Sequence, residues 1–187
     1  AGVEQMIPAR ASRQHVLHLL HAIGHRPPAA PAAPPTTTRL ADLLQAAANL
    51  IRRRSTLFVV SDFISEPGWE KPLAQLATRH EVVAVRLFDP LERELPDLGL
   101  VTMRDAESGE QLLVDTHSPR FRKRFAELAA QREADLRAAL ARAGVDTLEL
   151  ATDDDLAGAV LRFADLRKQR TRLAAGGGMP THLRKSA

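Results

Sequence analysis

Two largely apolar runs constrain the fold of this chain more than any other feature. One extends from Thr56 to Val60 (TLFVV) and the other from Val82 to Phe88 (VVAVRLF). Apolar runs rich in β-branched residues are typical of parallel strands that are buried on both faces. A helical pattern from about Trp69 to Arg79 separates them, and a strand-helix-strand order implies a right-handed crossover. We therefore predict an α/β fold with a doubly wound, mostly parallel sheet, helices on both faces and the first run as a central strand.

Further elements of the same fold are predicted on either side of these runs. Apolar residues at helical spacing predict four more helices, over Ser12 to Ile23, Thr38 to about Arg53, Phe121 to Leu140 and Leu156 to Leu166. A hairpin and a short strand are predicted over Leu100 to Asp105 with Gln111 to Asp115, and over Thr147 to Leu150. The order of strand and helix thus repeats once more near the end of the chain.

Composition limits the classes of protein to which the chain can belong. Its 187 residues, 44% of them hydrophobic, predict one domain over residues 1–170. Within it, residues 26–36 are predicted to form a Pro/Ala-rich loop, and after it residues 171–187 are predicted to form a basic, Gly-containing flexible tail. There is no cysteine, which is compatible with a reducing compartment. No apolar run reaches the roughly 20 residues that span a bilayer. We expect a soluble, cytoplasmic protein with no membrane partner.

Acidic and hydroxyl side chains follow the predicted strands. Asp62 follows the first apolar run, Asp89 follows the second, and Asp153 follows the last strand, while Thr36, Thr37 and Thr38 precede the second helix. Ligands bind at the carboxyl ends of strands in open parallel sheets, and oxygen ligands of this kind suit Mg²⁺. The same residue types also cap the turn or helix that follows a strand. The sequence leaves both interpretations open.

Other polar clusters carry weaker functional signals. The basic tail would suit nucleic acid, but it has no aromatic residue for stacking, so a solvated terminus is favoured and no nucleic-acid partner is expected. Four histidines, His15, His18, His21 and His25, lie opposite the apolar stripe of the first helix and are expected to be exposed. Three carboxylates, Asp105, Glu107 and Asp115, flank the hairpin. No phosphate loop or nucleophile elbow occurs, so we predict no catalytic residues and no enzyme activity.

Four segments resemble one known family. They are Arg53 to Phe63, His80 to Arg86, Asp89 to Gly99 and Asp105 to Glu110. The most specific of them reads Asp-Pro-x-Glu-x-Glu-Leu-Pro-Asp from Asp89 onward. The chain resembles, over about residues 5–170, the bacterial von Willebrand factor A-like family of unknown function whose genes neighbour MoxR-type AAA+ ATPases.

The resemblance implies a metal-ion-dependent adhesion site for Mg²⁺. In it, Asp62 resembles the aspartate after the central strand and Thr38 the loop threonine. The Asp-x-Ser-x-Ser loop that usually begins such a site is absent from the 187 residues, so Mg²⁺ binding by this chain is expected to be weak or absent. The resemblance further implies that the chain enters the domain near its third strand. The strand from Ser55 to Ser61 would then have an open edge. A missing N-terminal part, a rearranged sheet or a strand from another chain would each account for it, and self-association through this edge is one of these alternatives.

The family resemblance also implies a function, which is that of a non-catalytic adaptor. It would work with a MoxR-type ATPase or its client in maturing or assembling other proteins. The acidic stretch of Asp89, Glu92, Glu94 and Asp97 is the predicted partner-binding surface, although a solvated, proline-bounded turn explains the same residues. The alternative is an Mg²⁺-dependent phosphoryl-transfer or hydrolase enzyme that uses Asp62, Asp89 and Asp153.

Overall fold

The computed structural model describes residues 5–8, 10–25, 39–104 and 111–174. The helices are α1 (Arg13–Gly24), α2 (Leu40–Leu50), α3 (Glu70–Arg79), α4 (Pro119–Ala143) and α5 (Leu156–Ala174). The strands are β1 (Thr56–Ser61), β2 (Glu81–Phe88), β3 (Leu100–Arg104), β4 (Gln111–Asp115) and β5 (Asp146–Ala151). A short 3₁₀ turn, Pro90–Glu92, follows β2. The predicted elements are therefore present in the predicted order.

Three of the strands form one parallel sheet. Its order is β1-β2-β5, with Thr56 beside Glu81 at one end of the first ladder and Phe88 beside Ala151 at one end of the second. Strands β3 and β4 form a separate antiparallel hairpin. Helices α2, α3 and α4 pack on one face of the sheet, and α5 packs on the other. This arrangement confirms the predicted doubly wound α/β fold.

Strand β2 is the centre of the sheet, and its sequence explains why. Val82 and Ala84 point into the larger core, which is formed with α2, α3 and α4. Val83 and Val85 point into the smaller core under α5. Successive side chains of a strand alternate between its faces, so a strand covered on both faces must be apolar at nearly every position.

Among the described strands, β1 lies at one edge of the sheet and not at its centre, so the prediction of a central β1 is wrong for this part of the chain. It pairs with β2 on one side, and no described strand lies on its other side. Leu57 and Val59 pack against the larger core, whereas Phe58 and Val60 are 61% and 58% exposed. Phe58 and Val60 are exposed because α5 covers β2 and β5 on that face but does not reach β1. The open edge predicted for this strand is present among the described residues.

The ends of the helices follow local capping rules where those residues are described. The Ser12 hydroxyl accepts a hydrogen bond from the His15 amide at 3.1 Å and caps α1 at the predicted start of this helix. Thr38, the predicted start of α2, lies outside the described residues, and α2 ends at Leu50, before the predicted end at about Arg53. Helix α5 continues to Ala174, past the predicted start of the tail at residue 171. None of the helices in the described ranges is long and apolar enough to cross a membrane.

Candidate functional site

The carboxyl edge of the parallel sheet carries the predicted aspartates. Asp62 follows β1, Asp89 follows β2, and Asp153 follows β5 by two residues. Because β2 lies between the other two strands, Asp62 and Asp89 follow neighbouring strands, and Asp153 lies on the far side of β2. The topology therefore brings the three positions to one edge, as the sequence predicted.

Asp62 is exposed and begins a tight turn. Its Oδ1 accepts hydrogen bonds from the Ile64 amide at 3.0 Å and from the Ser61 hydroxyl at 3.3 Å. The Ser61 hydroxyl in turn accepts a bond from the Phe63 amide at 3.0 Å. Phe63 has a φ of +58°, is buried, and packs its ring 5.3 Å from that of Trp69. Asp62 thus has the turn-forming role that the sequence left open, and its Oδ2 has no partner among the described residues.

The described part of this edge does not fit a metal ion by itself. Within the described ranges, no group of three or more histidine or carboxylate side chains could hold one. Asp62 offers one unbonded oxygen next to the Ser61 hydroxyl, which is fewer protein ligands than a dedicated site supplies. Thr38, the other predicted ligand, lies outside the described residues, as do Thr36 and Thr37.

Asp89 and Glu92 hold each other in a capping box. Asp89 Oδ1 accepts the Leu91 amide at 2.9 Å, and Glu92 Oε1 accepts the Asp89 amide at 3.2 Å. Pro90 occupies the first position of the turn, where its missing N–H costs nothing. These two carboxylates therefore stabilise the turn after β2 from within.

The acidic segment extends from Asp89 to Asp97, and its second half contacts residues that follow the hairpin. Asp97 binds His117 Nδ1 at 2.6 Å and Arg122 Nη1 at 3.3 Å. Leu95 is buried and anchors the segment. Glu94 is exposed and forms no ion pair with any described residue. Of the four predicted partner-binding carboxylates, Glu94 is the one that these contacts leave available.

Behind the acidic segment lies a buried ionic network that the sequence analysis missed. Arg86, on β2, is 4% exposed and contacts both carboxylate oxygens of Glu133, on α4, at 2.6 and 2.7 Å. Arg93 contacts the same carboxylate at 2.7 Å and Glu149, on β5, at 3.0 Å. The signal for it was Arg86 itself, since a charged residue in an otherwise apolar central strand needs a buried partner.

Glu149 forms the outer half of this network. It accepts two hydrogen bonds from Arg137, at 2.8 and 3.0 Å. The Arg137 guanidinium lowers the pKa of Glu149 from its usual 4.5 to about 2, helped by Arg93 and opposed by partial burial. The Arg93 guanidinium also lies 3.5 Å from the centre of the Phe88 ring. These contacts fix the position of Arg93, and with it that of the acidic segment.

A shallow depression of about 440 Å³ opens beside this segment. It is lined by apolar and charged side chains, namely Phe88, Pro90, Leu91, Arg93, Glu94 and Pro96. Leu91 is 48% exposed at its margin. The acidic segment thus combines one available carboxylate with exposed apolar surface.

The remaining candidates have local roles or lie outside the described residues. After β5, the carboxylate of Asp154 accepts the Ala151 amide at 2.9 Å, while Asp153 is exposed. His21 and His25 stack at 3.9 Å, and His15 and His18 lie 6.3 Å apart on the exposed α1. Asp115 accepts the His117 amide at 2.9 Å. Asp105, Glu107, the loop 26–36 and residues 175–187 of the tail lie outside the described residues.

Comparisons with known proteins connect this chain to a family. Uncharacterized proteins Rv1480 of Mycobacterium tuberculosis and Mb1516 of Mycobacterium bovis are each 36% identical over 167 residues, covering 87% of this chain. The chain spans about half, 50%, of the length of these relatives. Uncharacterized protein MAV169 of Mycobacterium avium is 35% identical over 167 residues, which cover 87% of this chain and 94% of that protein.

One solved structure and one family model complete the comparison. The crystal structure of conserved hypothetical protein BatB from Bacteroides thetaiotaomicron is similar over 72% of this chain and 60% of its own, with 13% identity and a TM-score of 0.39. A TM-score this low supports no argument about function. The model of DUF58, a protein family of unknown function, matches residues 1–135. Together with the mycobacterial relatives, this match shows that the chain belongs to the DUF58 family.

Proposed function

We propose that this chain is a non-catalytic protein-binding module that acts as an adaptor for a MoxR-type AAA+ ATPase in protein maturation or complex assembly. The family resemblance supplies the class of partner. The observation that carries the proposal is the structure of the acidic segment from Asp89 to Asp97. Its own side chains hold its first turn in place, while Glu94 and Leu91 are exposed on its surface. An ATP-dependent partner places this function in the cytoplasm.

The acidic segment is organised before any partner arrives. The capping box of Asp89 and Glu92 holds its first turn. The contacts of Asp97 with His117 and Arg122 hold its end, and Arg93 is held from behind by Glu133 and Glu149. A surface that is already ordered loses little conformational entropy on binding. Such a segment is therefore suited to recognition.

The exposed groups of the segment define the chemistry of the partner surface. Glu94 supplies a carboxylate, and Leu91 with the depression beside it supplies apolar area. A complementary surface would present an arginine or lysine next to an apolar side chain. Charge complementarity of this kind contributes mainly to specificity and to the association rate.

The test is binding of the chain to a MoxR-type ATPase from the same genome, measured by calorimetry. Glu94→Lys reverses the available charge and is expected to weaken binding about tenfold, as expected for a like-charge contact at an interface. Asp165→Lys makes the same change on α5, on the opposite face of the sheet, and is the matched control. Equal affinities for the two variants would rule out the acidic segment as the contact surface.

A turnover assay separates this proposal from the enzyme alternative. The assay follows hydrolysis of generic phosphoesters by the chain with Mg²⁺ present. Adaptor function predicts no turnover. Turnover that requires Mg²⁺ and is lost in Asp62→Ala would instead support a phosphoryl-transfer or hydrolase enzyme that uses Asp62, Asp89 and Asp153.

A further inference from the structure

Helix α1 carries two histidines at a spacing that suits a metal ion. His21 and His25 are four residues apart, so their side chains lie one above the other on the same side of the helix. The two rings are stacked, with centroids 3.9 Å apart and planes inclined by 26°. Both residues are exposed. Two histidines at this spacing on one helical face can bind a single Zn²⁺ ion.

A contact with the backbone prepares the His25 ring as a metal ligand. Its Nδ1 lies 3.1 Å from the carbonyl oxygen of His21. A carbonyl oxygen has no proton to donate, so Nδ1 carries the proton and donates it in this bond. The Nε2 atom of the neutral ring therefore keeps a free lone pair. Histidines that ligate metals commonly donate their second ring nitrogen in this way, which fixes the tautomer and the orientation of the ring.

The His21 ring is within reach of the same ion. Its side chain stacks on His25 and forms no hydrogen bond with any described residue. Zn–N bonds of about 2.0–2.1 Å place two nitrogens bound to one ion about 2.9–3.4 Å apart. Rings with centroids 3.9 Å apart reach this separation by rotation of the side chains alone, and exposed side chains rotate rapidly. The helix itself does not have to change.

The other histidines of α1 are less suited to chelation. His15 and His18 are three residues apart, their ring centroids are 6.3 Å apart, and His15 is half-buried. No group of three or more metal-binding side chains occurs in the described ranges, so water fills the remaining positions around an ion held by His21 and His25. Ala22 stands where zinc proteases have their catalytic glutamate. The pair is therefore equipped for binding and not for hydrolysis.

We propose that His21 and His25 chelate a divalent transition-metal ion of the class that imidazole prefers, namely Zn²⁺, Ni²⁺ or Cu²⁺. Mg²⁺ prefers oxygen ligands, so this site differs in chemistry from the Mg²⁺ site predicted at the edge of the sheet. It shares no residue with the acidic segment. This proposal and the adaptor proposal can therefore fail independently of each other.

Chelation acts on the stability of the helix. Helix α1 buries no residue, and its 12 residues are few for a helix without tertiary packing. His21 lies in the last turn and His25 is the C-cap, so an ion bound to both holds this turn closed. An ion that binds the helical form better than the unfolded form shifts the equilibrium toward the helix. The order of α1 thus depends on the concentration of the ion.

The first test is calorimetric titration of the chain with ZnCl₂ alone, which is expected to show saturable binding of one ion per chain. His21→Ala removes a ligand and is expected to weaken this binding more than about tenfold, since even the loss of a second-shell partner costs about 10–100-fold. His15→Ala is the matched control on the same helix and should leave the affinity unchanged. Alanine favours helix in both variants. Equal losses in the two variants, or no saturable binding by the natural chain, would overturn the proposal.

The second test measures the order of α1 by hydrogen exchange with and without Zn²⁺. Exchange of the amide hydrogens in its last turn is expected to slow when Zn²⁺ is added to the natural chain, and to stay unchanged in His21→Ala. Exchange in α3 should not respond in either protein and serves as the internal reference. Because only the neutral imidazole binds a metal ion, acid should release the ion and reverse the effect. Zn²⁺ that binds without slowing exchange in α1 must bind elsewhere, and this result would also overturn the proposal.

Discussion

Arg86 is a charged side chain in the most buried strand of the protein. It is retained there because Glu133 meets it with both carboxylate oxygens. Removing one partner of such a pair leaves an uncompensated buried charge, which is far more destabilising than the loss of an exposed pair. The larger core is therefore tied to the sheet by an ionic contact as well as by apolar packing.

Glu133→Ala tests this contact. We expect it to lower the free energy of unfolding by about 3–5 kcal/mol, since Arg86 would remain buried without its partner. Glu127→Ala is the control on the same helix, because Glu127 and Arg124 form an exposed pair at 3.7 Å, and its cost should be about 0–1 kcal/mol. Urea unfolding followed by circular dichroism gives both values. Similar costs for the two variants would contradict the buried role of Glu133.

Glu149 gives the fold a dependence on pH. Its pKa is lowered from 4.5 to about 2 in the folded chain, so its contribution to stability is present above about pH 4.5 and is lost as the pH falls toward 2. Glu149→Gln is expected to be less stable than the natural chain at pH 7, with the difference shrinking between pH 4.5 and 2. Salt should reduce it too, because Arg137 is largely exposed. Urea midpoints across this pH range test the expectation; a constant difference would contradict it.

For single residues, the sequence predicted the position in the fold better than the role of the side chain. Asp62 and Asp89 follow their strands as expected, and their contacts are those of turn and cap residues. No rule of spacing could show that Glu94 alone among the four acidic residues would remain without a side-chain hydrogen bond or ion pair to a described residue. The contacts of Asp97 depend on the positions of His117 and Arg122, which the fold around the hairpin determines.

Among the elements, β1 shows how far an apolar pattern can be interpreted. A continuous apolar run indicates that both faces of a strand avoid water in some context. It does not say which partner provides the cover. In β2 the cover comes from helices on both faces, whereas in β1 it is missing on the side of Phe58 and Val60. The same kind of sequence pattern therefore indicated a strand correctly in both places, but the central position predicted for β1 belongs to β2 among the described strands.

Helix α1 has a good cap and an apolar stripe, yet it buries no residue. Its 12 residues are few for a helix without tertiary packing. We expect its amide hydrogens to exchange rapidly, while those of α3, which buries Leu73 and Leu76, exchange slowly. Hydrogen exchange read by mass spectrometry compares the two helices within one sample. Protection of α1 equal to that of α3 would show that it docks on a surface.

Metal binding at the carboxyl edge of the parallel sheet requires ligands from several segments of the protein. The described residues supply Asp62 and little else. We expect calorimetric titration of this chain with Mg²⁺ or Mn²⁺ to give no saturable heat at millimolar ion, while a family member that contains an Asp-x-Ser-x-Ser loop binds. Saturable binding by this chain that is lost in Asp62→Ala would contradict the expectation.

The separation of β2 from β5 along the chain affects how the protein folds during its synthesis. The two strands are neighbours in the sheet, yet on the order of 60 residues lie between them. A ribosome adding about 5–20 residues per second needs several seconds to supply β5 and then α5. During that time Val83 and Val85 have no cover, so the nascent chain carries an apolar face open to chaperones. We expect ribosome-bound chains halted after α4 to retain a chaperone that chains halted beyond α5 release.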